Sequence, residues 1–367
     1  MALGEQLVTF CPDTQDRHSH EYLSRRAVSQ RLAELLGLPF AGEYREGRVN
    51  GSHPYFVPQH TLLNDQAQAL GIASEDDLFG GVVPHHFVAT KAITHDTVSA
   101  HARAPRGWSH ALGESLTPVV LPGYSAFTES DVANAGRLLL RLGCVRLKPA
   151  HHLGGLGQKV LTNEFELDAA IAALDKNDLH RHGVVLEQNL EAPVTYSIGE
   201  VRLREHHIAY FGTQRMTTNN HGEEVYGGTD LTLIRGGIRD LLRLDLTHSV
   251  RLAVTQALEY DDAIGHAFPS FFASRRNYDV VQGRDEQGRC LSGVLEQSWR
   301  YGGASAAEVA ALKEFAAKPE LKTVRASTHE LYGADAVAPA DADVYFDGND
   351  KKVGRVLKFC VMEHNGS

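Results

Sequence analysis

Asn277-Tyr278-Asp279-Val280-Val281 and Gly293-Val294-Leu295-Glu296-Gln297-Ser298-Trp299-Arg300 are two short apolar runs, each interrupted by an acidic residue. The stretch between them, Gln282-Gly283-Arg284-Asp285-Glu286-Gln287-Gly288-Arg289, is polar and glycine-punctuated, as a hairpin connection is. Two paired strands would hold Asp279 and Glu296 close together, with Arg300 just past a strand end. Alternation aims Glu296, Ser298 and Arg300 one way and Leu295, Gln297 and Trp299 the other, so Trp299 is expected in the core. Close carboxylates repel unless a cation sits between them, and oxygen-only ligation suits Mg²⁺. The arginine then faces whatever anion that metal carries. Acids on hairpins are commonly just solvated, so the metal–phosphate reading needs support from elsewhere in the chain.

Residues 144–161 give it: Cys-Val-Arg-Leu-Lys-Pro-Ala-His-His-Leu-Gly-Gly-Leu-Gly-Gln-Lys-Val-Leu. A short strand carries Lys148, a turn carries Gly154, Gly155 and Gly157, and a return strand follows. Glycines let backbone N–H groups approach phosphate oxygens, and a lysine on the entering strand reaches the same oxygens as a point charge. No Gly-Lys-Ser/Thr opens a helix here, which excludes a Walker loop. Apolar Val160-Leu161 follows the turn, which excludes the Rossmann fingerprint. A third element, Val184-Val185-Leu186-Glu187-Gln188-Asn189-Leu190-Glu191, reads as a buried strand ending in an acid and a polar linker. Its backbone can serve an adenine edge. The linker leads into Tyr196 to Leu203, which alternates as a strand does.

A strand lysine, a glycine turn, a strand-ending acid and an acid followed by Glu-x-x-x-Arg, in that order, resemble the ATP-grasp superfamily. The likeness runs from about residue 80 to 303 and points to the biotin carboxylase-like branch and to uncharacterised bacterial ATP-grasp proteins. The resemblance implies an α/β (α+β) ATP-grasp fold that binds ATP and Mg²⁺. It implies that Lys91 and Lys148 are the phosphate lysines and Gly154 to Gly157 the flap over the triphosphate. Glu187 with the backbone of Gln188, Asn189 and Leu190 would be the adenine hinge. Asp279 and Glu296 would be the metal carboxylates. Serine at 298 stands where the family motif has asparagine, which implies a weaker hold on a second metal. Thr195 lies near the place of the family's ribose-binding acid, with Glu191 one turn earlier. Arg215, in Tyr210-Phe211-Gly212-Thr213-Gln214-Arg215, resembles the basic residue that relatives direct at the nucleotide, and His221 follows on a loop.

Composition is that of an ordinary soluble globular chain, with 43% hydrophobic and 22% charged residues. A net charge of −10 with no basic stripe argues against nucleic acid as a partner. No apolar run approaches a membrane span, and the N-terminus, with Glu5, Asp13 and Asp16, lacks signal-peptide character. Cys11, Cys144, Cys290 and Cys360 have no paired spacing and read as reduced cytoplasmic thiols.

At 367 residues, two or three subdomains are expected. Residues 1–85 read as a small α/β domain preceding the core, with strands at Gln6–Phe10 and Pro54–Pro58 and helices at Glu21–Leu36 and Asn64–Leu70. Residues 86–185 read as the lid region: a strand carrying Lys91, a linker at 104–113, a helix led by Thr128, the Lys148 hairpin and a helix from Glu164 to Leu174. Residues 186–367 read as a mixed-sheet region with the hinge, a helix near 246–260, the metal hairpin and a helix at 306–317. A closing hairpin flanks Asp347-Gly348-Asn349-Asp350.

The implied activity is an ATP-dependent carboxylate ligase. A small acid attacks the γ-phosphorus to give an acyl phosphate, a nucleophile displaces phosphate, and Arg300, with Lys148 and Arg215, stabilises the charge that develops. Acid and nucleophile are unspecified. The alternative is a nucleotide-binding regulatory protein that keeps the site without the ligase chemistry. A kinase-like transfer is a third, smaller option. No biotin-accepting Met-Lys segment is present, and the oligomeric state is not fixed by the sequence, an oligomer being compatible with it. Twenty histidines include the pairs His85-His86, His151-His152 and His206-His207. Neighbours on a strand face opposite ways, so such pairs seldom chelate one ion.

Overall fold

The computed structural model describes residues 5–11, 16–46, 53–152 and 157–363. Near the N-terminus three parallel strands, Leu7–Phe10, Phe40–Glu43 and Tyr55–Pro58, form a sheet with Leu7–Phe10 in the middle. Helix His20–Leu36 makes the first crossover. Ser19 caps it by accepting from Tyr22 N, and Gly37 ends it in the left-handed conformation at φ 65°. Strand alternation sends Leu7 and Val8 to opposite faces. Leu7 joins Val28 and Leu32 of this helix, while Val8 packs with Phe56, Leu62 and Leu78.

Eight antiparallel strands make the central sheet. In spatial order they are Cys290–Ser298, Arg275–Arg284, Glu191–Leu203, His206–Thr218, Glu224–Arg235, Thr323–Tyr332, Gly354–Glu363 and Asp343–Asp350. Helix His248–Ala267 covers one face through Ala253, Val254, Ala257 and Ile264, against Ile198, Ala209, Val280 and Val294. Helix Ser305–Ala317 covers the other through Val309, Leu312 and Phe315, and packs in turn against the N-terminal helix. Each fully buried side chain of this size contributes about 1.5–3 kcal/mol. The hairpin strands Arg275–Arg284 and Cys290–Ser298 lie at one edge of the sheet, with helix His248–Ala267 packed on one of their faces.

A separate four-stranded sheet, in the order Gly123–Ala126, Val184–Gln188, Val145–Pro149 and Lys159–Leu161, is antiparallel throughout. Helices Glu129–Leu140 and Glu164–Ala172 back it, burying Val132, Leu139 and Leu167 against Val145, Leu147 and Leu186. Their caps are Thr128, accepting from Asp131 N, and Asn163, accepting from Glu166 N.

Several boundaries differ from the sequence-based expectations. Lys91 lies on no strand: residues His86–Ala89 and Lys91–Thr94 are two 3₁₀ turns. Thr90 Oγ1 caps the second by accepting from Ala92 N, and the Gln297 side-chain amide donates to Val88 O at 2.8 Å and Thr90 O at 2.9 Å. Those carbonyls have a side-chain partner where a strand would need a neighbouring backbone. The linker near 104–113 runs into helix His110–Leu116, led by Ser109. The helix expected near 246–260 runs His248–Ala267 behind Thr247, and the one expected to reach Leu174 stops at Ala172. Asp347 to Asp350 belong to a strand, not to the closing turn. The Asp350 carboxylate accepts from Lys352 N and Val353 N, which fixes the turn after it.

Candidate active site

The hairpin register sets Asp279 directly opposite Glu296 and Asn277 opposite Ser298. Directly opposed residues share a sheet face with Cβ atoms about 4.5–5.5 Å apart. The register slips between Asp279 and Val280, so Leu295 is the extra residue of a bulge beside the acids. Asp279 Oδ1 accepts from Asn277 Nδ2 at 2.9 Å and lies 3.3 Å from Ser197 Oγ. Burial, then the charge of Glu296, pushes the Asp279 carboxyl up to about 6. Glu296 meets the Lys91 ammonium at 2.7 Å. Lys91, buried to 5% exposure, also donates to the His152 carbonyl at 2.5 Å, tying the hairpin to the start of the glycine turn.

A buried scaffold holds this pair. Arg275 and Glu308 form an ion pair at 2.8 Å with side chains 1% and 0% exposed. The other arm of the guanidinium donates to Ser298 O at 3.1 Å and Arg300 O at 2.7 Å, and reaches Ser298 Oγ at 3.3 Å. Tyr210 OH lies 2.6 Å from Glu308 Oε1 and 2.9 Å from Asn277 Oδ1. Tyr210 reaches them by lying across Gly199, where any Cβ would sit 2.1 Å from the ring. A hydrogen-bonded path thus runs from helix Ser305–Ala317 through Tyr210 and Asn277 to Asp279. Breaking a buried pair such as Arg275–Glu308 leaves an uncompensated charge.

Arg300 leaves the strand end with one described bond, Nη1 to Tyr301 O at 2.7 Å. Among the described residues no carboxylate lies within 4.0 Å of it, although the more distant charges of Glu296 and Asp279 are felt. Burial and Arg275 outweigh them and lower its pKa. Arg300 is an unpaired guanidinium facing two acids.

In the four-stranded sheet, Lys148 contacts Glu187 Oε1, and His95 Nε2 lies 3.4 Å from Glu187 Oε2. Lys148, Glu187 and His95 are each at most 3% exposed. Burial alone would raise the Glu187 pKa; Lys148 and His95 reverse that and hold it at about 2. The hinge backbone is partly engaged, with Gln188 N donating to Pro122 O and Asn189 N to Cys144 O. The Asn189 side chain accepts from Arg146. Gln188 Nε2 is buried with no partner among the described residues, and Leu190 packs with Leu121 and Val281 beside the partly buried Leu295.

Gly154 and Gly155 lie outside the described residues. Gly157 is left-handed at φ 75°, close to His152 and Pro149. Arg215 does not join the carboxylates in its described contacts. It pairs with Asp230 and donates to Thr328 O at 2.7 Å. His221 contacts Lys352 O at 2.9 Å in the closing hairpin. Thr195 and Glu191 sit on the strand after the hinge. Trp299 is 1% exposed in the core, as alternation requires.

Sequence reasoning missed His95, Asn277, Arg275, Tyr210 and Glu308 as supporting residues. Glu308 had a signal: an acid within the otherwise apolar Ala306–Leu312 run. Asn277 had one too, since position i and i+2 share a strand face with Asp279. His95 had none, because its partner lies 92 residues away.

The chain resembles several solved structures at low identity. N5-carboxyaminoimidazole synthetase from Staphylococcus aureus, complexed with ADP, aligns at 12% identity and TM-score 0.54 over 100% of this chain and 95% of that one. The biotin carboxylase domain of Hydrogenobacter thermophilus 2-oxoglutarate carboxylase, with MgADP and bicarbonate, aligns at 13% identity and TM-score 0.54, covering 98% and 86%. Carboxyaminoimidazole ribonucleotide synthase from Aspergillus clavatus, with ATP, aligns at 11% identity and TM-score 0.52, covering 98% and 94%. No curated protein matches the chain. The likeness establishes the ATP-grasp fold. Residues 8–360 match one family model, and the chain belongs to that family, described as "Protein of unknown function (DUF3182)".

Proposed function

We propose that this protein is an ATP- and Mg²⁺-dependent ligase that activates a small carboxylate as an acyl phosphate and transfers it to a nucleophile. The observation that carries the reading is the opposed pair Asp279–Glu296 with Lys91 on one acid and an unpaired Arg300 at the strand end. The solved neighbours, complexed with ATP, ADP or MgADP, support the reaction class.

The residues fit a magnesium ion. Asp279 is held up to about 6 because burial and Glu296 both resist a second negative charge there, and a divalent cation removes that resistance. Among the described residues no cluster of three His, Cys, Asp or Glu could hold a metal. The ligands would be the Asp279 and Glu296 carboxylates with Ser298 nearby, an oxygen-only set of the kind Mg²⁺ takes. When bound, the ion supplies charge neutralisation at the phosphates. Asp279 and Glu296 would hold it, and Asn277 and Ser197 keep Asp279 aimed.

Lys91, which pairs with Glu296, would neutralise phosphate charge beside that carboxylate. Lys148, steadied by Glu187 and His95, would meet the phosphates from the lid side. Gln188 Nε2 and the Leu190 backbone are the hinge groups available to adenine. Arg300 would bind the substrate carboxylate, orient its oxygen toward the γ-phosphorus and stabilise the acyl phosphate and the later oxyanion. Arg215 is held by Asp230 and is the weakest of the proposed catalytic residues.

One observation favours the regulatory alternative: Ser298 replaces the motif asparagine, and its Oγ is within reach of Arg275. Measuring phosphate release from MgATP across small carboxylic acids paired with amines or thiols separates the two. Acid-dependent release that vanishes in Arg300→Ala supports the ligase; tight MgATP binding with no release in any pairing leaves the regulatory reading.

A further inference from the structure

Three histidines from three separate elements meet where the lid adjoins the Lys91 turn. His86 is on the first 3₁₀ turn, His151 at the start of the glycine turn and His182 at the end of helix Lys176–His182. Ring centroids are 5.2 Å apart for His86–His182 and 4.3 Å for His151–His182, and His152 lies 4.5 Å beyond His151. The Nδ1 atoms of His151 and His182 are buried and have no hydrogen-bond partner among the described residues. Backbone bonds fix the junction: Lys91 N to Ala150 O and Ala150 N to Gly183 O, both 3.2 Å.

We propose that His86, His151 and His182 form an oxyanion subsite, which takes a phosphate or carboxylate group beside Lys91 and draws protons from solvent as it does so. The subsite rests on the ligase reading for its location but not for its chemistry. Buried ring nitrogens without partners call for a ligand or a proton. The charged groups facing the cluster are Lys91, Arg181 and Asp178. Asp178 approaches His151 Nε2 at 3.7 Å and His182 Nε2 at 4.0 Å, too far for a hydrogen bond but close enough to favour an imidazolium. Burial and Arg181 lower the pKa of His86; burial, the His151 and His86 rings and Arg181 lower that of His182. His151 is lowered by burial, by its neighbouring rings and by Lys91. The empty cluster is therefore neutral near pH 7, and an arriving oxyanion reverses the balance. Burial, then Arg300, Arg25 and His86, hold His60 down to about 4.

The group has two sources, the terminal phosphate of ATP or the acid group of the second substrate. Calorimetry at pH 7, in buffers of different ionisation enthalpy, reads the protons taken up. MgADP, MgATP, inorganic phosphate, and phosphate or malonate added over MgADP are the titrants. Uptake of roughly 0.5–1 proton, the scale of an imidazole moved across neutrality, is expected. Uptake with MgATP but not MgADP identifies the nucleotide phosphate; uptake on adding phosphate or malonate to the MgADP complex identifies the second substrate. His151→Asn/His182→Asn should lose the uptake and weaken the responsible ligand about tenfold, equal to roughly 1.4 kcal/mol. His180→Asn, exposed on the same helix, should change nothing. Ring resonances of His151 and His182 in the wild-type protein, followed during phosphate titration, decide the matter if the double variant misfolds. Binding without proton uptake and without ring shifts overturns the subsite. Absence of nucleotide binding, with phosphate still shifting the rings, removes the ligase reading and leaves the subsite standing.

Discussion

Glu187 in the lid and Asp279 in the hairpin are both acids taken largely out of water, yet they are displaced in opposite directions. Glu187 has Lys148 and His95 against its two oxygens and sits at about 2; Asp279 has only neutral donors and a second carboxylate opposite it, and sits at about 6. The first is complete without a ligand. Among the described residues the second has no cation of its own, Lys91 being on Glu296, and the proposed Mg²⁺ would supply one. Burial of an acid alone therefore does not mark a metal site; the missing counter-charge does. The same contrast separates two arginines: Arg275 is saturated by Glu308 and three oxygens of the 298–300 turn, whereas Arg300 is left free to meet an anion.

The largest way to break this contrast is to unbalance the complete side. Lys148→Met should cost about 3–5 kcal/mol of stability, because it strands Glu187 in the interior. Lys148→Met/Glu187→Leu should recover most of that loss, which denaturant unfolding measures. Next comes the incomplete side. Arg300→Ala should lower turnover roughly 10²–10³-fold with MgATP affinity nearly unchanged; unaltered turnover removes Arg300 from the mechanism. A smaller effect sharpens the comparison through pH. Asp279 is raised, so the folded protein holds more protons than the unfolded chain between about 4 and 6, and stability falls as pH rises through that window. Glu187 is depressed, so its contribution is present above its ordinary value and is lost as pH falls toward 2. Asp279→Asn should accordingly stabilise the metal-free protein above pH 6, on the order of 1 kcal/mol after allowance for partial exposure. It should also remove the magnesium dependence of nucleotide binding. A destabilised Asp279→Asn at pH 7 would place a compensating cation where none is described.

The hairpin was legible because alternation, a glycine-rich connection and paired acids coincide within 24 residues, Asn277 to Arg300. Its register was legible too, but the bulge at Leu295 that slips the pairing by one was not. The lid was legible through its caps, Thr128 and Asn163, and through the Lys148 strand. Lys91 was misread as a strand residue, since the carbonyls around it are satisfied by Gln297, more than 200 positions away, and no local pattern announces that. Arg215 was placed on function by likeness, and its Asp230 partner across the strand pair is a tertiary fact. The histidine cluster was invisible for the same reason. His151-His152 looked like a divergent pair, and only the fold brings His86 and His182 to it.

The central claim is that Asp279 and Glu296 hold the metal that ATP requires. Calorimetry of ATP binding with and without Mg²⁺, on the wild type and on Glu296→Ala, tests it most directly. The account predicts magnesium-dependent binding in the wild type that collapses to the metal-free level in Glu296→Ala. Binding that is equally tight without magnesium, or unchanged in the variant, contradicts it.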